Sequence, residues 1–347
     1  MPEPAAPAFT YVLPLRRLAV GGGLGDLPAY LARVARAGEV IVVDGSPPAV
    51  RAAHAAALPA AVRHVEPDPP RQPNGKVSNV WTGVRRARAE RVVIADDDVR
   101  YAPAALAEAC ALLERADLVC PQNHFEPLPW HAWWDTGRSL LNRVAGGDYP
   151  GTLLVRRGRF MRMGGYQGDV LFENLELMRT VAADGGVVLR APWLHVARRP
   201  PGARHFLSQR VRQAYDDLAL PGRLLAELAL APALALAAVR AGPRALVVAA
   251  GASVALAEAG RRRHGGRAAF SARCAWAAPA WLVERAACAW AAVAVRAVAG
   301  GVPYAGARLR RAATPPRALR RRQEVRAARR VAALTPTPTG ARRPPAP

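Results

Sequence analysis

Three consecutive carboxylates, Asp96-Asp97-Asp98, follow the apolar run Val92-Val93-Ile94-Ala95. Carboxylates at positions i and i+2 just beyond a strand can share one divalent cation, which in turn can neutralise a diphosphate. A solvated turn has the same composition, so the triplet acquires meaning only from its neighbours. The other conspicuous residue is Lys76, the single lysine in a chain of 347 residues whose remaining 48 basic side chains are all arginine. In a sequence biased towards Ala, Gly, Pro and Arg, a retained lysine is either an incidental surface residue or an amine that the chemistry requires, because a compact ammonium and a planar guanidinium are not interchangeable. Cys110, Cys120, Cys274 and Cys288 form no CxxC pair, and the seven histidines show no metal spacing, so a structural zinc site is not expected and the thiols are read as reduced. No P-loop is present, and Gly21 to Gly25 lack the third glycine of a dinucleotide fingerprint.

The elements that must carry these residues alternate. Phe9 to Leu15 reads as a strand, Leu27 to Ala37 as an amphipathic helix, and Val40 to Val43 as a strand ending in Asp44-Gly45-Ser46. A helix over about 49 to 58, a strand over 62 to 65, a helix over 76 to 89 and a strand over 91 to 95 follow. This alternation predicts an α/β domain with a largely parallel sheet and a ligand site at the carboxyl ends of its strands, where Asp44 and Asp96 to Asp98 fall.

Net charge divides the chain. Residues 1 to 197 carry 22 basic and 20 acidic side chains, whereas residues 198 to 347 carry 27 and 6, which together give the formal +23. Hydrophobic residues make up 51% of the sequence, too many for a chain that cannot collapse. Beyond Leu220, residues 221–260 read as a hydrophobic helical hairpin that enters a membrane, flanked by Arg261-Arg262-Arg263 and Arg267, where positive charge would hold its ends in the cytoplasm. A buried helix pair in a soluble domain is the alternative. Residues 268–305, punctuated by Trp276, Trp281 and Trp290, read as an interfacial amphipathic helix region. The basic, Pro-rich segment 306–347 reads as a disordered tail, and residues 1–8 as a short N-terminal one. The N-terminus lacks the basic and apolar regions of a signal peptide, which places the catalytic domain on the cytoplasmic side of the cell membrane.

In register over residues 9–220, the motifs resemble glycosyltransferase family 2 with its GT-A fold, a Rossmann-like nucleotide-diphospho-sugar transferase domain, and are most similar to the ceramide glucosyltransferase-like membrane-associated branch. Glu39 to Ser46 resembles the family's nucleotide-binding strand, which implies that Asp44 binds the donor. Asn74-Gly75-Lys76-Val77-Ser78-Asn79 resembles its Asn-x-Lys-Val-x-Asn segment, so Lys76 and Asn79 are expected beside the diphosphate. The resemblance makes Asp96 and Asp98 the ligands of Mg²⁺ or Mn²⁺, Asp98 directly. Gly151 to Arg157 and Met163 to Tyr166 are similar to the segment that joins donor and acceptor sites.

Two departures stand out. The family's Glu-Asp or Asp-Asp pair, whose Asp is the general base, is Glu173-Asn174 here, and an amide cannot take a proton. The role therefore passes to Glu173 or to Glu176, with Glu173 preferred because it adjoins the base position. The family's Gln-x-x-Arg-Trp is Gln209-Arg210-Val211-Arg212-Gln213, which keeps Gln209 and Arg212 as contacts to the diphosphate and acceptor channel and loses the indole. Trp130, Trp133 and Trp134 are candidates to replace it, or are core or membrane-interface residues. The resemblance implies an inverting, metal-dependent glycosyltransferase that moves a sugar from a nucleotide-diphosphate sugar to a lipid hydroxyl at the cytoplasmic face. The arginine-rich segments would face anionic lipid, and nucleic acid is not an expected partner. A polyprenyl-linked or soluble acceptor, or a non-catalytic protein that binds nucleotide sugars, are the alternatives.

Overall fold

The computed structural model describes residues 7–19, 23–69, 72–304 and 307–334. The expected tail beyond 334, the first six residues and part of the glycine run at 20–22 lie outside the described residues. The first part of the chain alternates β1 (Thr10–Leu15), α1 (Leu27–Ala35), β2 (Glu39–Asp44), α2 (Pro48–Ala57), β3 (Arg63–Val65), α3 (Gly75–Arg86) and β4 (Arg91–Ala95). Then come β5 (Val99–Arg100), α4 (Pro103–Leu112), β6 (Leu118–Phe125), α5 (Trp130–Val144), β7 (Thr152–Arg156), α6 (Arg157–Met163), α7 (Glu173–Ala183) and β8 (Val188–Arg198). Short helices α8 (Ala203–Ser208) and α9 (Arg210–Tyr215) lead through a 3₁₀ turn at Asp216–Ala219 into α10 (Pro221–Ala241), α11 (Pro243–Arg262) and α12 (Ala278–Val298). A hairpin of β9 (Val302–Tyr304) and β10 (Ala307–Leu309) precedes α13 (Pro316–Leu334).

Eight strands form one sheet in the order β3-β2-β1-β4-β7-β6-β8-β5. β3, β2, β1 and β4 run parallel, as their connecting helices require, while β7 pairs antiparallel with β4 and β6. The Val- and Ile-rich β2 and β4 are almost wholly buried because helices cover both faces of the sheet. Tyr11, Leu13, Val42, Val93 and Leu154 form the core on one face, and Val12, Val80, Ile94, Leu153 and Phe160 form it on the other. This packing sets the carboxyl ends of β1, β2 and β4 along one edge.

The C-terminal half has a different construction. α10, α11 and α12 are 21, 20 and 21 residues long, so each spans about 30 Å, enough to cross a hydrocarbon core. Val239, Val247, Val248 and Val298, at 85%, 71%, 70% and 90% exposure, turn apolar surface outward on these helices. An apolar face of this extent suits lipid better than water. α12 is therefore as long as the hairpin helices, where the sequence suggests only an interfacial segment. The expected disordered tail contains α13, which lies against α7, with Leu319 buried and the Gln323 side chain donating to the Met163 carbonyl at 3.3 Å.

Candidate active site

At the end of β2, the Asp44 carboxylate is fully buried. It accepts from His54 Nδ1 at 2.7 Å, His64 Nε2 at 3.0 Å and the Ser46 amide at 2.9 Å. Burial works against its charge, but the hydrogen bonds from Ser46 and His54 hold its carboxyl below the usual range. With both oxygens engaged, Asp44 fixes the turn at Gly45-Ser46. Asn79 is likewise a tie within the protein. Its Nδ2 donates to the carbonyls of Leu15 at 2.9 Å and Val43 at 2.8 Å, clamping the ends of β1 and β2 together. Gly45 packs on that amide, where a Cβ would lie 3.2 Å from Asn79 Oδ1. Around it, Arg16, Pro67, Gln72, Gly75 and Ser78 line a cleft of about 200 Å³.

Lys76, Asp96, Asp98, Glu173, Gln209 and Arg212 converge on a polar cavity of about 360 Å³. Lys76 stands in the first turn of α3, a helix capped by the Asn74 side chain, which accepts from the Lys76 amide at 3.1 Å. Its Nζ lies 2.6 Å from Asp96 Oδ1 and 2.7 Å from Glu173 Oε1. Burial opposes the ammonium, but the two carboxylates outweigh it and lock the proton on. Asp98 accepts from Arg198 Nε at 2.8 Å, and the same guanidinium lies 3.8 Å from Asp96. Burial pushes the Asp98 carboxyl up to about 6 despite Arg198. Asp97 turns away to Arg17. Gly151 packs closely here, where a Cβ would lie 3.0 Å from Asp96 Oδ2 and 3.1 Å from the Arg198 guanidinium carbon.

Glu173 and Glu176 separate. Glu173, in the first turn of α7, faces the cavity, whereas Glu176 is fully buried and accepts from the Thr314 amide at 2.6 Å, outside the cavity. Burial raises the Glu176 carboxyl, and Glu176 does not share the polar cavity with Glu173. Asn174, at the position of the family's base, uses its amide to hold the Pro150 carbonyl at 2.8 Å. Gln209 and Arg212 both line the cavity, bonded to each other at 2.8 Å.

Where the motif has lost its indole, Gln213 accepts from Arg210 at 2.8 Å, and Arg210 also bonds Asp135 and Glu284. Aromatic surface comes from Phe125, Phe172, Phe206 and Tyr304; the Tyr304 ring lies 5.3 Å from the Arg212 guanidinium and its hydroxyl donates to Asn74 Oδ1 at 3.0 Å. Trp133 and Trp134 instead tie α5 to Arg273 and Glu284, and Trp130 is exposed. Sequence reasoning missed Tyr304, Arg198 and Asp216 as lining residues. One more arginine after an apolar strand carries no signal in this chain, and Tyr304 arrives from the far end of the sequence.

Among the described residues, no group of three or more His, Cys, Asp or Glu side chains is placed to hold a metal ion. Asp96 and Asp98 nevertheless supply two hard oxygen donors at the cavity, and Asp98 Oδ1 is buried without a partner. That donor set fits a cation of the Mg²⁺ type, which takes one or two carboxylates and completes its shell from phosphate oxygens and water.

A parallel half-sheet with its polar cavity at the strand ends, extended by an antiparallel strand β7, defines a GT-A-like α/β fold. Residues 27–168 match the family model described as Glycosyl transferase family 2. Among solved structures, the chain is similar to the mannosyltransferase PcManGT from Pyrobaculum calidifontis in complex with GDP-Man and Mn²⁺, at 20% identity and a TM-score of 0.44, over 82% of this chain and 87% of that one. Among curated proteins, none matches the sequence.

Proposed function

We propose that the protein is an inverting glycosyltransferase that moves a sugar from a nucleotide-diphosphate donor to a lipid hydroxyl at the cytoplasmic face of a membrane. The observation that carries this reading is Lys76 held between Asp96 and Glu173 in the polar cavity. Glu173 is the base: ion-paired to Lys76, it is ready to take the acceptor hydroxyl proton. The acceptor oxygen then attacks the anomeric carbon from the side opposite the bond to the diphosphate, which breaks as the new bond forms. Lys76 and Arg212 meet the charge that grows on the departing diphosphate, and so act more on turnover than on ground-state binding. Asp98 with Asp96 would hold Mg²⁺ or Mn²⁺, which supplies Lewis-acid stabilisation of the same leaving group. Gln209 positions Arg212, and Tyr304 offers a face to the acceptor or donor sugar. The acceptor is read as a lipid because the cavity adjoins α9, which packs on the long apolar helix α12.

Transfer from a panel of labelled nucleotide sugars to membrane lipids, followed by mass spectrometry, tests this reading. Asp98→Ala should abolish transfer, and a purified Asp98→Ala protein that worked at the wild-type rate would overturn the mechanism. The placement of Asn174 at the base position keeps one competing reading alive, a protein that binds nucleotide sugars without turning them over. That protein would bind donor yet neither hydrolyse nor transfer it.

A further inference from the structure

A second, larger cavity of about 940 Å³ lies where α10, α11 and α12 meet the sheet domain. The 3₁₀ turn Asp216–Ala219 separates it from the polar cavity. Asp216 lines the polar cavity, while Asp217 bonds the arginines of the larger one. Arg179, Arg190, Arg223 and Arg285 line it, against the carboxylates of Glu227 and the adjoining Asp217, which leaves two positive charges in excess. Asp217 is shared between Arg223 at 3.1 Å and Arg285 at 3.3 Å, and Glu227 bonds Arg223 at 3.0 Å. The guanidinium of the exposed Arg190 has no hydrogen-bond or ion-pair partner among the described residues and rests over the Tyr149 ring at 5.1 Å. The walls also hold unsatisfied polar groups: Arg285, 2% exposed, has an unpartnered Nε, and Trp281, 3% exposed, an unpartnered indole N–H.

The opposite wall is apolar, with Leu230, Leu256 and Leu282. Leu230 lies nine residues into α10 from Pro221, about 13 Å along its axis at 1.5 Å per residue. With the hairpin in a bilayer, the arginines stand at headgroup depth and the leucines at the level of the first acyl carbons.

We infer that this cavity seats the headgroup of an anionic phospholipid, its phosphodiester among the four arginines and its chains along the leucines, as a site separate from the catalytic cavity. This rests on the membrane placement of α10 to α12 in the reading above. Surplus arginine at the cytoplasmic interface favours such lipids, and Gly222, where a Cβ would meet no atom within 4 Å, leaves room beside the α10 N-terminus.

The test is native mass spectrometry of the full chain purified in detergent, after incubation with phosphatidylglycerol or phosphatidylcholine. One phosphatidylglycerol should stay bound through delipidation and phosphatidylcholine should not. Arg190→Glu should lower retention at least tenfold, and so should Ala226→Trp, which fills the cavity and leaves every charge in place. Thermal unfolding of both variants checks that they fold. Equal retention of the two lipids, wild-type retention by folded variants, or displacement by millimolar inorganic phosphate would each overturn the assignment, the last by marking a free-phosphate site. A chain that purifies as a monodisperse species without detergent would defeat the membrane placement itself. One that needs detergent yet shows no lipid selectivity would defeat only this inference.

Discussion

The two cavities on either side of the Asp216–Ala219 turn use the same residue types to opposite ends. In the strand-end cavity, Lys76 and Arg198 each lie between two carboxylates, so charge is interleaved and nearly balanced. In the cavity beside the long helices, arginines outnumber carboxylates and one of them, Arg190, pairs with none among the described residues. A balanced ionic set can exchange partners with an incoming diphosphate and cation without leaving a buried charge alone, which would be costly. A set with surplus positive charge waits for an anion. Chemistry and anchoring are thereby assigned to neighbouring but electrostatically distinct places.

The sharpest way to break this contrast is at Glu173. Glu173→Gln should lower the transfer rate by about 10²- to 10⁴-fold with donor binding retained, as steady-state kinetics beside donor titration would show. An effect confined to KM would remove Glu173 from the role of base. Lys76→Ala should cost about 10²- to 10³-fold in kcat. Glu176→Ala separates structure from chemistry. It should leave kcat within about threefold while costing about 1–3 kcal/mol of stability, since the buried Thr314 amide loses its acceptor, as denaturant unfolding would measure.

The smallest effect concerns His195, beyond both cavities. Its pKa is lowered from 6.5 to about 4 by burial, with Arg143 and His124 adding to the shift. The folded state therefore resists the proton that the unfolded chain accepts, so stability present above pH 6.5 is lost as pH falls towards 4. His195→Gln should flatten that slope in melting temperatures taken across the interval.

Much of the first 200 residues is legible in the sequence because apolar runs of strand length end in Asp or Gly, and because the lone Lys76 marks a helix start. Other features carry no signal in the sequence. The ties of Asp44 to His54 and His64, ten and twenty positions later, are one. Glu176 lies one helical turn from Glu173, yet that spacing says nothing about Thr314. The tail looks disordered by average composition, but Ala and Arg are good helix formers, and one buried leucine, Leu319, with a few polar ties suffices to dock α13.

The bond from the Tyr304 hydroxyl to Asn74 crosses 230 positions, and Thr314 closes on Glu176 across 138. Both late partners emerge from the ribosome only after α10, α11 and α12 have been made. Tyr304, which lines the strand-end cavity, is thus added to it late. A nascent sheet domain on its own therefore lacks the Tyr304 wall of the strand-end cavity and the Thr314 partner of Glu176 until the whole apolar helical region has been made.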